Sequence, residues 1–440
     1  MDDHAHVPFL NGHEQDGVHE QDGAAHDFLR SKNLRIALYS HDTMGIGHMR
    51  RNALIARTIS CAGISDSILM VAGAREAATL ALPTGTDCLT LPSYFKEPGG
   101  KYQSRHLGVS LSDLVALRAK TIAAALEAFR PDLLIVDKVP RGALRELDPA
   151  LELLHARGKT RCVLGLRDIL DDPATVRREW SDGAHEDAIC DYYDAVWVYG
   201  DPAVYDQVRE YEYPEAVAEK VRYTGYLMRP VRTVFSEFED AEMLPLALSS
   251  SDRLHLCMVG GGQDGGQLAK TFAQVEFSPG TRGVIVTGPF MPPEVQQCLC
   301  RLAASKPRLS VLKVVADPDV LLSRADRVVV MGGYNTVCEV LSFGKRALIV
   351  PREKPRREQF IRAERLHDMG LVDMLRPDDV NPQVLTEWLT RERESPAGVN
   401  HRIDFNGAAN LPRLLDEVLA CPSGAGHNGF VERTIYHDAV

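Results

Sequence analysis

The stretch ADRVVVMGGYNTVCEVLSFGKRALIVP, residues 325–351, decides the fold. Its β-branched start reads as a buried strand, Arg327 to Met331, which Gly332-Gly333 interrupts. A helical segment follows, with Asn335 and Thr336 in its first turn, and Arg346 to Val350 reads as the next strand. Strand, glycine turn, helix and strand make one unit of a parallel sheet. A helix N-terminus carries roughly half a positive charge and several unpaired N–H donors, so this turn is suited to hold a diphosphate without a metal. Glu339, one helical turn after Thr336, is placed to reach a ribose over the same helix end, and it equally suits a first-turn acid that complements the helix dipole.

The alternation extends in both directions. Towards the N-terminus the strand candidates of this half are Leu254 to Val259, Gly283 to Thr287 and Ser310 to Val315. An acidic, irregular stretch from Arg232 to Asp252 interrupts the pattern, and before it a second series runs through Arg35 to Tyr39, Ser67 to Val71, Cys88 to Leu91, Leu133 to Val136, Arg161 to Leu166, Ala195 to Tyr199 and Val221 to Thr224. The clearest helices are Asn52 to Cys61, Leu111 to Phe129, opened by Ser110 and Asp113 as a variant capping box, Leu144 to Arg157, and a last one, Asn406 to Ala420. The expected organisation is a disordered tail (1–31), a first Rossmann-like domain (32–230), a linker (231–252), a second domain (253–405), a terminal helix (406–420) and a tail (421–440). The fold class is α/β, two doubly wound domains facing across a cleft, with ligands at the carboxyl ends of the strands.

Composition limits the function classes. The chain of 440 residues suits two domains, and 45% hydrophobic with 25% charged residues describes a globular protein. A net charge of -11 opposes nucleic-acid binding. The basic pair Arg50 and Arg51 and the basic run Arg352 to Arg357 read as solvated faces. Nine cysteines, odd in number and mostly inside apolar runs, read as buried thiols in a reducing compartment, with neither disulfides nor a structural metal. The tail's His4, His6, His13, His19 and His26 read as part of a disordered leader. No stretch has eighteen consecutive apolar residues, so the expectation is a cytoplasmic protein with at most peripheral contact with an inner membrane.

Two further loops are candidates for chemistry. After the first strand comes SHDTMGIGHMRRN, residues 40–52, in which Gly45 and Gly47 allow close backbone approach and Arg50 stands where a dinucleotide fingerprint has its third glycine. His48 in this loop is the candidate general base. Asp42, Asp137 and Asp168, at carboxyl ends of strands, are its rivals, each equally suited to cap a helix or pair with Lys138 or Arg167. After the first strand of the second half comes MVGGGQDGGQ, residues 258–267, where five glycines in seven positions suggest that Gly261, Gly262 and Gln263 wrap a donor's diphosphate or sugar.

In Gly333, Thr336, Glu339, Gly344, Pro351 and Gln359 the chain resembles the donor-binding signature of the glycosyltransferase family that contains the lipid-linked peptidoglycan N-acetylglucosaminyltransferase. With MGIGHMRR it is also similar to a bacterial branch of predicted glycosyltransferases. The resemblance implies the GT-B fold and an inverting transfer of a hexose or N-acetylhexosamine, from a uridine diphosphate sugar to a small-molecule, polysaccharide or lipid-linked acceptor. It implies that Gly333 and Thr336 hold phosphate, Glu339 the ribose, the main chain of Val315 the base edge, and Gln359 a sugar hydroxyl, with His48 on the acceptor side. The chain departs from the family in Met331-Gly332, where the family has Arg-Ser, and in Glu358, where it has the first of two glutamines, so Glu358 is expected to bear on which sugar is read. Two other functions suit the same double fold. A nucleotide-sugar 2-epimerase needs several carboxylates around the sugar, and a non-catalytic nucleotide-sugar-binding protein needs none.

Overall fold

A computed structural model describes residues 34–42, 47–74, 77, 81–96, 101–228, 251–315, 318–391 and 402–420. The expected tails, nearly all of the linker, and Gly45 lie outside them. In chain order the strands are β1 (Arg35–Ser40), β2 (Ser67–Ala72), β3 (Thr86–Thr90), β4 (Tyr94–Lys96), β5 (Tyr102–Ser104), β6 (Leu133–Asp137), β7 (Arg161–Arg167), β8 (Ala195–Tyr199), β9 (Val221–Tyr223), β10 (Arg253–Met258), β11 (Thr281–Val286), β12 (Leu309–Leu312), β13 (Ala325–Val330), β14 (Ala347–Ile349) and β15 (Asp373–Met374).

The first sheet has the order β3-β2-β1-β6-β7-β8-β9 and the second β12-β11-β10-β13-β14-β15, all neighbours parallel. Central strands such as LLIVD in β6 and AVWVY in β8 are buried throughout, because helices cover both faces of a parallel sheet. In each sheet the order reverses beside the first strand, between β1 and β6 and between β10 and β13. That reversal opens a crevice at the carboxyl ends. The two-stranded antiparallel hairpin β4–β5 and the two-residue β15 were not expected, since neither is long enough to show a period.

Two helices differ from expectation. The first begins at Gly47 and runs to Cys61, which puts His48 and Arg51 three residues apart on its opening turn. The other begins only at Asp148, after a 3-10 turn in which Leu144 and Arg145 have positive φ, because Pro149 fits only a first helical turn. Its displaced Glu146 is buried, receiving Arg118 at 2.5 and 2.7 Å and the hydroxyl of Tyr94 at 2.8 Å. Helix Leu111–Phe129 starts as expected, with Ser110 Oγ accepting from Asp113 N at 3.1 Å. Of the cysteines only Cys162, Cys257 and Cys338 are buried among the described residues, so the others correct the expectation of buried thiols.

The two domains share a core. One buried apolar cluster contains Ile36, Leu38 and Ile55 together with Leu254, Val328, Val337 and, from the last helix Gly407–Ala420, Leu411 and Leu415. That helix returns to the first domain, where it packs against Gly47–Cys61 and Asn410 donates to Thr224 O at 2.9 Å. Polar contacts fix the same arrangement. Arg362 of helix Glu358–Asp368 grips Asp168 at the end of β7 through Nε (2.8 Å) and Nη2 (2.5 Å), both residues fully enclosed. Arg356 reaches Asp171 at 3.0 Å and Glu179 at 2.7 Å, so the basic run is a clamp between domains and not a solvated face.

A buried ion pair adds little net stability over apolar residues, yet removal of one partner strands a charge and costs about 3–5 kcal/mol. Arg362→Met is therefore expected to lower the thermal midpoint, and Arg362→Met with Asp168→Leu to recover most of the loss. Differential scanning calorimetry of the two variants checks this.

Candidate active site

The first half of the site is built on the carboxyl ends of β1 and β6. The opening turn of helix Gly47–Cys61 lies over Asp137, the last residue of β6. His48 Nδ1 donates a short hydrogen bond to Asp137 Oδ2, and Arg51 holds the same carboxylate at 2.8 Å (Nε to Oδ1) and 2.9 Å (Nη2 to Oδ2), with its Nη2 3.0 Å from His48 Nδ1. This uses the Nδ1–H tautomer of His48 and leaves Nε2 as a base. Burial pushes the His48 pKa down to about 4 in spite of Asp137, so the ring is neutral at physiological pH. Burial alone would raise the Asp137 carboxyl, but Arg51 and His48 outweigh it and hold that group well below the usual carboxylate range. Two of the candidate bases, His48 and Asp137, thus form one unit, a base and the carboxylate that orients it.

The other aspartates are engaged elsewhere. Asp42 is buried, with Oδ2 accepting from Ser40 Oγ at 2.6 Å and Gly73 N at 3.0 Å, and burial raises its pKa to about 6. Asp168 is the partner of Arg362, whose remaining nitrogen donates to Gly332 O at 2.8 Å. The pairing with Lys138 or Arg167 that the sequence offered is not what forms. Asp137 takes Arg51 and Asp168 takes Arg362, so Lys138 and Arg167 make no ion pair among the described residues. Arg51, read in the sequence with Arg50 as a solvated basic patch, is in fact buried, and Arg362 was passed over. Their positions three residues after His48 and three after Gln359, one helical turn along from each candidate, are the signal that singles them out.

The second half of the site is the turn at the end of β13. Gly333 is the N-cap of helix Tyr334–Ser342, and no side chain caps it, so the first-turn N–H groups remain open to an anion. A Cβ on Gly333 would meet nothing within 4 Å, which leaves that face clear. Asn335 Nδ2 donates to Gly47 O at 3.3 Å, so the two helix N-termini meet across the crevice. Beyond that contact a pocket between the two helices is lined by Arg50, Arg51 and Leu54 on one side and Asn335, Cys338 and Glu339 on the other. Thr336 is partly buried on the same opening turn. Val315 lies past the end of β12, partly buried against the shared core.

Part of the glycine-rich loop 260–266 has an internal explanation. Gly262 has φ of 90° and a Cβ there would sit 2.1 Å from Thr287 O, so its glycine is required by chain packing. Gly261 O accepts from Phe290 N at 2.9 Å, and Gln263 is exposed. Arg352 ties this loop to the helix at Glu358, donating to Asp264 at 2.5 Å and to Glu358 Oε1 at 2.6 Å. Glu358 is buried, its second oxygen has no hydrogen-bond partner, and burial's upward push on its pKa is outweighed by Arg167 and Arg352. Gln359 Oε1 accepts from Arg352 N at 3.2 Å, leaving its amide nitrogen as a donor. Among the described residues no group of His, Cys, Asp and Glu has the form of a metal site, and no helix is long and apolar enough to cross a membrane.

Residues 255–409 match the glycosyltransferase family 28 C-terminal domain. Over 71 residues the chain is 35% identical to the UDP-N-acetylglucosamine–N-acetylmuramyl-(pentapeptide) pyrophosphoryl-undecaprenol N-acetylglucosamine transferase of Haemophilus influenzae, covering 16% of this chain and 20% of that protein. The chain therefore matches about a fifth of that relative's length. In fold it is similar to the calicheamicin glycosyltransferase CalG4, with a TM-score of 0.54 at 17% identity over 88% of this chain and 99% of that one. It is also similar to a UDP-N-acetylglucosamine 2-epimerase, so described, of Listeria monocytogenes, with a TM-score of 0.56 at 13% identity over 91% and 100%. The paired parallel sheets are those of the GT-B fold.

Proposed function

We propose that the chain is an inverting glycosyltransferase that uses a nucleotide-diphosphate sugar, a reading supported by the match of residues 255–409 to the glycosyltransferase family 28 C-terminal domain. The observation that carries the reading is the uncapped helix at Gly333, which faces an oriented His48–Asp137 base across one crevice. In this reading the first-turn N–H groups of Tyr334–Ser342 hold the diphosphate and offset the charge that develops on the leaving group, a task in which backbone dipoles need no metal. Glu339 takes the ribose hydroxyls, Val315 the base edge, and Gln359 with the free oxygen of Glu358 the sugar. His48 Nε2 accepts the proton of the acceptor hydroxyl as it attacks the anomeric carbon.

Uridine as the base and a hexose or N-acetylhexosamine as the sugar are part of the proposal, supported by the name of the relative from Haemophilus influenzae. So are a small-molecule, polysaccharide or lipid-linked acceptor and a cytoplasmic location with peripheral membrane contact at most. The epimerase has a similar fold, but the carboxylates at this crevice favour transfer, since Asp137 and Asp168 are each committed to an arginine. Incubation with labelled UDP-N-acetylglucosamine and no acceptor separates the two, because only an epimerase converts the sugar to its 2-epimer.

Glu358→Gln tests the sugar contact. An ionised carboxylate only accepts hydrogen bonds, whereas glutamine also donates. The substitution is expected to change the ratio of turnover between two nucleotide sugars competing in one tube by about tenfold, the size of one hydrogen bond to a charged group. An unchanged ratio removes Glu358 from the sugar site.

A further inference from the structure

Four carboxylates around the crevice are ion-paired: Asp137 with Arg51, Asp168 with Arg362, Asp171 with Arg356, and Glu358 with Arg352. Lys138 and Arg167 enter no ion pair among the described residues, although the charge of Glu358 acts on both. Both stand at carboxyl ends of neighbouring strands, Lys138 directly after β6 and Arg167 as the last residue of β7, and Lys138 N donates to Gly165 O at 2.7 Å. Both are partly buried, and Arg167 Nε is a buried donor with no partner. Lys138 holds its position with a φ of 73°, a left-handed conformation disfavoured for a side chain of this type. A buried guanidinium donor without a partner, a lysine outside any ion pair and a strained backbone are costly to fold and are retained where a ligand supplies what is missing.

We propose that Lys138 and Arg167 form a binding site for an anionic group, a phosphate or a carboxylate, on the acceptor of the transfer. This rests on the reading of the crevice as a transferase site. The features assigned to donor phosphate all belong to the second domain, whereas both of these cations come from the first. Lys138 follows the aspartate that orients His48, so an anion held there places a nearby hydroxyl of the same molecule beside the base. The donor's charge is met at the helix N-terminus, and the acceptor's is met here.

The lysine supplies a signature that needs no substitution. Burial lowers its pKa to about 7, helped by Arg167 and Arg356 and opposed by Glu358 and Asp137. The histidines that face it, His41 and His48, are both pushed well below neutrality by burial, and Asp42, raised by burial to about 6, completes its ionisation at the lower end, so above pH 7 Lys138 is the group of this cluster that changes charge. It is charged below about 7, and anion affinity falls as pH rises through that value.

The test is calorimetric titration of the full chain, saturated with UDP, with sodium sulfate and separately with sodium acetate. Sulfate stands for a phosphate and acetate for a carboxylate, and neither changes charge across this range. Binding of either is expected, with the tighter one naming the group. Lys138→Met and Arg167→Met should each weaken it about tenfold or more, the Lys120→Met control on an exposed helix face should not, and Arg167→Lys should restore part of it. In the unaltered chain affinity should fall several-fold between pH 6 and 8.5. Anion affinity that is equal in all variants and flat with pH overturns the proposal. So does a loss of UDP affinity as large as the loss of sulfate affinity, because the cations then hold the donor. A chain that binds sulfate in this pattern and not UDP leaves the anion site standing and refutes the donor reading.

Discussion

His48→Ala is expected to lower turnover by ~100- to 10,000-fold, the contribution of a general base, while donor affinity holds. The split follows from placement. His48 belongs to the first domain and its ring is fixed by Asp137, whereas the residues assigned to the donor stand on the second sheet's loops and helices. The pH profile gives a second check. A base acts in its neutral form, and burial lowers the His48 pKa to about 4, so the acid limb of the rate should lie near that value. A rate that instead halves near the ordinary imidazole value means that His48 is not the base, or that it is not enclosed as described.

Asp137→Asn is expected to cost of the order of 1,000- to 10,000-fold, by analogy with loss of the carboxylate that sets a histidine's tautomer. The amide can turn its nitrogen towards His48 Nδ1, which favours the proton on Nε2 and removes the base. The same change strands Arg51, whose side chain is buried, so stability should fall by about 3–5 kcal/mol as well. These effects are separable. If Asp137 acts through His48, then His48→Ala with Asp137→Asn is no slower than the worse single variant, although its thermal midpoint is still lowered. Additive losses in turnover give Asp137 a role of its own.

How much of this was legible in the sequence depended on range. Apart from the two-residue β15, the strands of both sheets were readable because their apolar runs are local, and the turn at Gly333 was readable because strand, glycines and helix adjoin. The start of the first helix was not, since Gly47 and His48 read as loop and only tertiary contact with Asp137 and Asn335 shows why the helix begins there. Choice of ion-pair partner was least legible. Lys138 and Arg167 are next to Asp137 and Asp168 in sequence, but adjacent residues on a strand point to opposite faces, and the true partners Arg51 and Arg362 lie 86 and 194 residues away. The glycines of 260–266 carried a mixed signal, because chain packing demands Gly262 whatever the loop binds.

The central claim is that the second domain holds the nucleotide while the first supplies the base. It is tested most directly by calorimetric titration of the full chain with UDP, repeated on Glu339→Ala and His48→Ala. The account predicts one site, weakened about tenfold or more by Glu339→Ala, as befits loss of a charged hydrogen-bond acceptor, and unchanged by His48→Ala. No binding of UDP, or an equal loss in both variants, would contradict it.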